Sequence, residues 1–214
     1  FGPLSDRFGR RAPLMVGLAI YVIAAFAAAF SPTFATLLVL RFVQGLGAAS
    51  TRVIATSLVR DRFGGRAMAE VMSLVFMVFM IIPVIAPAIG QVLLLTGPWE
   101  YIFFFMAALG FVITVWAFIR LPETLRPENR RELRPAIIIE GFRLVFTNKM
   151  AFSYGLSAMF VFGALFGFIS TAQQIYVDIY DLGAYFPVAF AAIAGLMSIS
   201  SYTNSRMVRK IGMR

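Results

Sequence analysis

Six long apolar runs, at 12–30, 34–59, 67–95, 99–119, 150–176 and 184–202, decide what this chain can fold into. A bilayer-spanning helix needs about 20 consecutive, mostly apolar residues, and each run meets that length. A helix also closes all its backbone hydrogen bonds within itself, as the hydrocarbon interior demands. The 214 residues are 60% hydrophobic and only 14% charged, with a mean hydropathy of +0.85. A soluble domain carries far more charge. The sequence therefore reads as an all-α membrane protein with six transmembrane helices.

The breaks between the runs differ in kind. Segments 31–33, 96–98 and 178–183 contain no Lys or Arg. All but two of the 19 Lys and Arg fall in the other segments, the exceptions being Arg41 and Arg52 inside the second run. Basic and cation-free loops thus alternate, as the positive-inside rule requires. Both ends and the central loop 121–149 are expected in the cytoplasm. The net charge of +9 does not point to nucleic acid, because the cations sit in short segments and form no continuous basic face. With no Cys and no His, disulfides, thiolate chemistry and His-based metal or acid–base sites are excluded within this stretch. No nucleophile–base pair or metal set lies in the membrane, so neither an enzyme nor a cofactor is expected. The chain opens on Phe1 in what reads as mid-loop, without a signal peptide, and is taken as a piece of something longer.

Within that frame the opening stretch from Gly2 to Arg11 is the densest motif. Asp6 and Arg7 stand between Gly2 and Gly9, Arg10 and Arg11 follow at once, and Asp6 and Arg10 would form an i,i+4 pair if helical. A degenerate copy returns 203 residues later, where Gly212 matches Gly9 and Arg214 matches Arg11, but Arg209 replaces Asp6. The echo suggests an internal repeat; two unrelated basic loops would look the same.

The second run carries Arg41 and Gln44 on one helix face, then Gly45, Gly47, Ala48 and Ala49. The small residues would let a neighbouring helix approach closely. An arginine within a span costs about 2.5–3.5 kcal/mol unless it meets a partner or water. Arg41 therefore either snorkels to the outer interface or serves a cavity. Arg52, eleven residues on, returns to nearly the same face about 16 Å away and snorkels more easily to the cytoplasmic side.

In the third run Pro83 and Pro87 share a face and predict a bend, kept slim by Gly90 and followed by the polar Gln91. The central loop contains a stretch at 135–146 that would form a short helix along the membrane surface. The fifth run has Gly163 and Gly167 in small-xxx-small spacing and ends on Gln173 and Gln174, which could line a cavity or reach the interface. No Asp or Glu lies deep in any run, so an intramembrane acid must be sought outside this chain.

Taken together these motifs resemble the major facilitator superfamily, in particular its drug:proton antiporters of the Bcr/CflA type. The pattern Gly2-x-Leu4-x-Asp6-Arg7-x-Gly9-Arg10-Arg11-x-x-Leu14 is similar to the family's loop signature between helices two and three. Arg41-x-x-Gln44-Gly45 resembles its fourth-helix motif, and Pro122-Glu123-Thr124 is a further family mark after helix six. The antiporter motif of helix five is matched in part, with Ala86-Pro87-Ala88-Ile89-Gly90-Gln91 in place of Gly-Pro-x-x-Gly-Gly.

The resemblance implies a helical bundle of twelve, of which this chain holds helices three to eight. Residues 1–120 would end the first six-helix half, 121–149 would link the halves, and 150–214 would begin the second. It implies a multi-pass protein of the bacterial inner membrane, monomeric when full length, that exports amphiphilic drugs in exchange for protons by alternating access. Arg41 would couple proton movement, and Asp6, Arg10 and Asp61 would hold the cytoplasmic side closed. The alternatives are an uptake carrier or facilitator for a sugar or metabolite, and a non-transporting receptor or scaffold on the same fold.

Overall fold

The computed structural model describes residues 1–196 except 127, 129, 131, 132, 134, 187 and 194. Its elements are α1 (Gly2–Phe8), α2 (Arg11–Ala28), α3 (Phe34–Arg62), α4 (Gly65–Thr96), α5 (Glu100–Arg120), α6 (Pro135–Thr147) and α7 (Lys149–Gln173). A π-helical turn, Gln174–Ile179, continues α7, and a short 3₁₀ turn follows at Gly183–Tyr185. The described residues are mostly helical.

Sequence chemistry explains where the helices begin. Thr33 caps α3, its hydroxyl accepting from the Thr36 N–H at 3.2 Å. The Asn148 side chain caps α7 by accepting from the N–H groups of Met150 and Ala151, each at 3.1 Å. One expectation is corrected: the chain does not open in a loop. Gly2–Phe8 is helical, because Pro3 falls in the first turn, where its missing N–H costs nothing.

Four helices among the described residues are long and apolar enough to cross a membrane: Arg11–Ala28, Phe34–Arg62, Glu100–Arg120 and Lys149–Ile179. The third expected run is the 32-residue α4, unbroken through Pro83 and Pro87, which carries two shorter apolar stretches, Glu70–Phe79 and Ile85–Thr96. Of the sixth expected run, 184–202, only the beginning is described, and residues 197–214, with the C-terminal echo, lie outside the described residues.

The chain divides into two compact units, residues 1–75 with 93–139, and 76–92 with 140–214. In the first, α2 packs along both α3 and α5. The contact faces are narrow: Gly17, Ala24, Ala25 and Ala28 on α2, Gly47 and Ser50 on α3, Ala107 and Gly110 on α5 are all buried. A Cβ on Gly47 would stand 2.6 Å from the Gly17 carbonyl oxygen, so the α2 and α3 backbones touch there. Gly45, two residues earlier, faces open space. Packing between helices in lipid rests on such close approach, since lipid tails compete for every apolar side chain. At the charged end of the unit Leu14, Leu18 and Ile54 form a buried cluster, flanked by Met15, Leu58, Ala117 and Leu121.

In the second unit Gly155, Gly163 and Gly167 of α7 face open space. The rings of Phe168 and Phe190 stack 6.4 Å apart, and Tyr176 lies 6.3 Å from Phe186, tying the end of α7 to the segment after the 3₁₀ turn.

Candidate functional site

The joint between α1 and α2 is built around one buried guanidinium. Arg10 is 3% exposed and sits at the N-cap of α2. Its Nη1 donates to Asp6 Oδ1 at 2.6 Å and to Ser5 Oγ at 2.8 Å. Its Nε and Nη2 donate to the two carboxylate oxygens of Asp61, at 2.8 and 3.4 Å. Asp6 comes from the last turn of α1 and Asp61 from the last turn of α3, so one side chain ties three helices. An acid at a helix C-terminus meets the negative end of the dipole; Asp61 is held there by the cation opposite. Burial by itself would lower the Arg10 pKa, but the hydrogen bonds to Asp61 and Asp6 outweigh it and raise it above the ordinary arginine value. A buried cation is tolerable only when its donors are matched in this way.

A second carboxylate completes the joint from the far side. Glu123, three residues past the end of α5, accepts through Oε1 from the backbone N–H of Arg10 at 2.8 Å and through Oε2 from that of Arg11 at 3.2 Å. Oε1 also accepts from the N–H groups of Thr124 and Leu125, each at 3.0 Å. Burial opposes this charge, yet the four N–H donors hold the Glu123 pKa below the usual glutamate value. Gly9 makes room: at φ 90 and ψ 168 it holds a backbone conformation open essentially to glycine, and a Cβ there would meet the Glu123 carboxyl group. Arg11 answers in the other direction. Its Nη2 donates to the Phe118 carbonyl at 2.6 Å, and its guanidinium lies 5.0 Å above the Phe118 ring.

Of the other residues of the opening motif, Arg7 is exposed on the last turn of α1, and Gly2 opens that helix with Val53 nearby. Sequence reasoning assigned no role to Ser5 or Glu123. Ser5 had no distinguishing signal. Glu123 stood in a quoted motif, but the N–H groups it serves are 113 and 112 positions away.

The second site lies on α3, twenty residues before Asp61 and so about 30 Å along the helix. Arg41 Nη1 donates to Gln44 Oε1 at 2.8 Å, and its guanidinium lies 5.7 Å over the ring of Phe103 on α5. Gln44 is 2% exposed, and its Nε2 has no hydrogen-bond partner. The pair therefore presents a buried N–H donor that is still to be matched. Chemically it suits a carboxylate, a carbonyl or another acceptor.

The remaining expected site residues fall in the second unit. Pro83, Pro87, Gly90 and Gln91 all lie within α4, with Pro87, Gly90 and Gln91 half-buried. Gln173 ends α7 and Gln174 opens the π turn; both are exposed.

The sequence profile of the Major Facilitator Superfamily matches residues 1–214. The bicyclomycin resistance protein homolog of Haemophilus influenzae is 33% identical over 213 residues, covering 99% of this chain and 54% of that protein. An uncharacterized MFS-type transporter of Bacillus subtilis, YdgK, is 29% identical over 213 residues, 99% of this chain and 52% of its own length. The multidrug resistance protein MdtL of Shewanella oneidensis is 39% identical over 123 residues, 58% of this chain and 31% of its own. The chain thus spans about half the length of the relatives that match it from end to end.

Proposed function

The chain belongs to the major facilitator superfamily, and from that premise we propose that it forms part of a secondary transporter that exports drugs or similar small organic compounds in exchange for protons. The names of its relatives support the direction and the cargo: one is a bicyclomycin resistance homolog, another a multidrug resistance protein. On this reading the apolar helices are helices three to eight of twelve in a bacterial inner membrane. Residues 1–120 end one half, 121–149 link the halves in the cytoplasm, and 150–214 begin the other. The complete protein works as a monomer.

The observation that carries the coupling role is the Arg41–Gln44 pair on α3, with its unmatched N–H donor. Arg41 is a cation within a span, and the amide beside it holds a buried Nε2 without an acceptor. Leaving such a donor unpaired costs about 1–3 kcal/mol, so an acceptor that arrives during the cycle is bound there. A carboxylate from another helix fits best: beside Arg41 its ionised form is favoured, and it gives up its proton as it approaches. Drug binding drives this acid against Arg41 and releases its proton; reprotonation from the opposite side of the membrane draws the acid away and drives the drug off, and that exchange is antiport.

The Asp6–Arg10–Asp61 cluster serves the other end as the cytoplasmic gate. It biases two states of nearly equal energy, and a shift of about 1.4 kcal/mol changes their ratio tenfold. Gln173 and Gln174 are further polar groups available to a cavity wall. Purified full-length protein should release protons when an exported drug is added, in unbuffered detergent solution containing a pH dye. Drug binding without proton release in wild type would exclude proton antiport. It would leave the uptake-carrier and facilitator readings standing.

A further inference from the structure

At the charged end of the first unit, α2 and α5 exchange caps. The first turn of α2 leaves N–H groups without intrahelical partners, and the last turn of α5 leaves carbonyls in the same state. Glu123, carried just past α5, accepts from the N–H groups of Arg10 and Arg11 at the start of α2. Arg11, the first residue of α2, donates to the Phe118 carbonyl in the last turn of α5 and covers the Phe118 ring. Each helix end is thus neutralised by an opposite charge from the other: acid on the positive end, base on the negative end.

A solvated loop carboxylate would not be bound in this way. Two donors of the cap come from α2 and two from Thr124 and Leu125, so the acid also folds its own loop; Leu125 is buried at 8% exposure. That turn brings Thr124 Oγ1 to 3.4 Å from Asp61 Oδ2, the carboxylate on which Arg10 rests. Gly9 has no side chain where one would displace the carboxyl group. Arg10 is therefore fixed twice, through its backbone by Glu123 and through its guanidinium by Asp6 and Asp61.

We propose that Glu123 and Arg11 form a reciprocal latch that keeps the ends of α2 and α5 together throughout the transport cycle, and that Glu123 is the positioning residue that holds Arg10 on its two carboxylates. The ends of α1, α2, α3 and α5 then move as one body. The effect on turnover rests on the transport reading above; the fixed separation of the two helix ends does not.

Two measurements on the full-length protein separate these. Spin labels at Ala12 and Ile119, beside the latch residues, should give one narrow distance that is the same with and without drug. In Glu123→Ala the distribution should broaden. A distance that changes on drug addition in the wild type overturns the latch, whether or not the protein transports. For positioning, Glu123→Ala should lower turnover about tenfold, the scale of a lost helix cap, with KM for the drug unchanged. In an Arg10→Ala background the same substitution should do nothing more, because the group it positions is gone. Equal losses in both backgrounds would show that Glu123 acts on folding alone. Where Glu123→Ala fails to insert, Glu123→Gln, which keeps the shape and one acceptor oxygen, is put through the same cycle with the same two outcomes.

Discussion

The carboxyl carbon of Glu123 lies 2.8 Å from the point where a Cβ on Gly9 would stand, so the acid can cap α2 only while position 9 carries no side chain. The two residues are far apart in sequence and belong to motifs that look independent. In the fold they are one device, the glycine being the space and the acid its occupant.

Gly9→Ala should therefore cost more than backbone strain. The φ of 90 at this position is disfavoured for alanine by about 1–3 kcal/mol. Glutamate is flexible and can swing aside, but it then abandons the N–H groups of Arg10 and Arg11. Thermal unfolding in detergent should show a lowered midpoint. Adding Glu123→Ala to Gly9→Ala should lower it little further, since the cap is already lost. An unchanged midpoint in Gly9→Ala would mean that the joint relaxes freely.

Acid should loosen the same joint. The folded pKa of Glu123 is depressed, so its stabilisation is complete above the ordinary glutamate pKa of about 4.3 and is lost as pH falls through the lower folded value. The thermal midpoint of the wild type should drop below that pH more steeply than that of Glu123→Gln. Every other acid is common to both proteins, so the difference isolates Glu123. Parallel curves would show that the carboxylate contributes nothing through its charge.

The two partners of Arg10 should not be equivalent. The Asp61 side chain is 15% exposed and takes two donors from Arg10, whereas Asp6 is 32% exposed and takes one. Asp6→Asn should strongly reduce transport while leaving insertion intact, and Asp61→Asn should reduce it further. Near-normal transport by Asp6→Asn would reduce that acid to a decoration of the α1 end. Fluorescence-detected size exclusion checks insertion and assembly in each case.

Four of the expected spans were legible because one physical rule, burial of a continuous apolar helix, writes itself into consecutive residues. Thus 34–59 appeared as α3, ending three residues later at Arg62, where charge lets the helix run on into water. The pairing of Asp6 with Arg10 was legible from their four-residue spacing, although Gly9 ends α1 between them and Arg10 caps α2; that α1 is a helix was not, because seven residues carry too little periodicity. Gly47 and Gly45 looked alike in sequence, yet only Gly47 meets another backbone, since rotation about the helix axis decides which small residue faces the neighbour. Glu123 was illegible for a different reason. Its partners are backbone N–H groups, which every residue has, so no side-chain pattern announces them.

The unpaired amide of Gln44 gives the last prediction, in which stability and transport part company. Gln44 accepts from Arg41 through Oε1 and leaves Nε2 buried without a partner. Gln44→Leu keeps the volume and removes a donor whose isolation costs about 1–3 kcal/mol, so the thermal midpoint should hold or rise. Transport should fall, because Arg41 loses the oxygen that orients its guanidinium over Phe103. Arg41→Ala should abolish drug-driven proton release. Arg41→Lys keeps the charge but not the planar fork, and should restore a minor part at best. The readout is proton release from the full-length protein across about pH 6 to 9, a range that brackets carboxylates perturbed by burial. If Arg41→Ala transports normally with an unchanged pH midpoint, Arg41 is an anchor at the membrane interface and coupling lies elsewhere. If Gln44→Leu is destabilised and still transports, the amide is a packing element, and its free N–H has no part in binding.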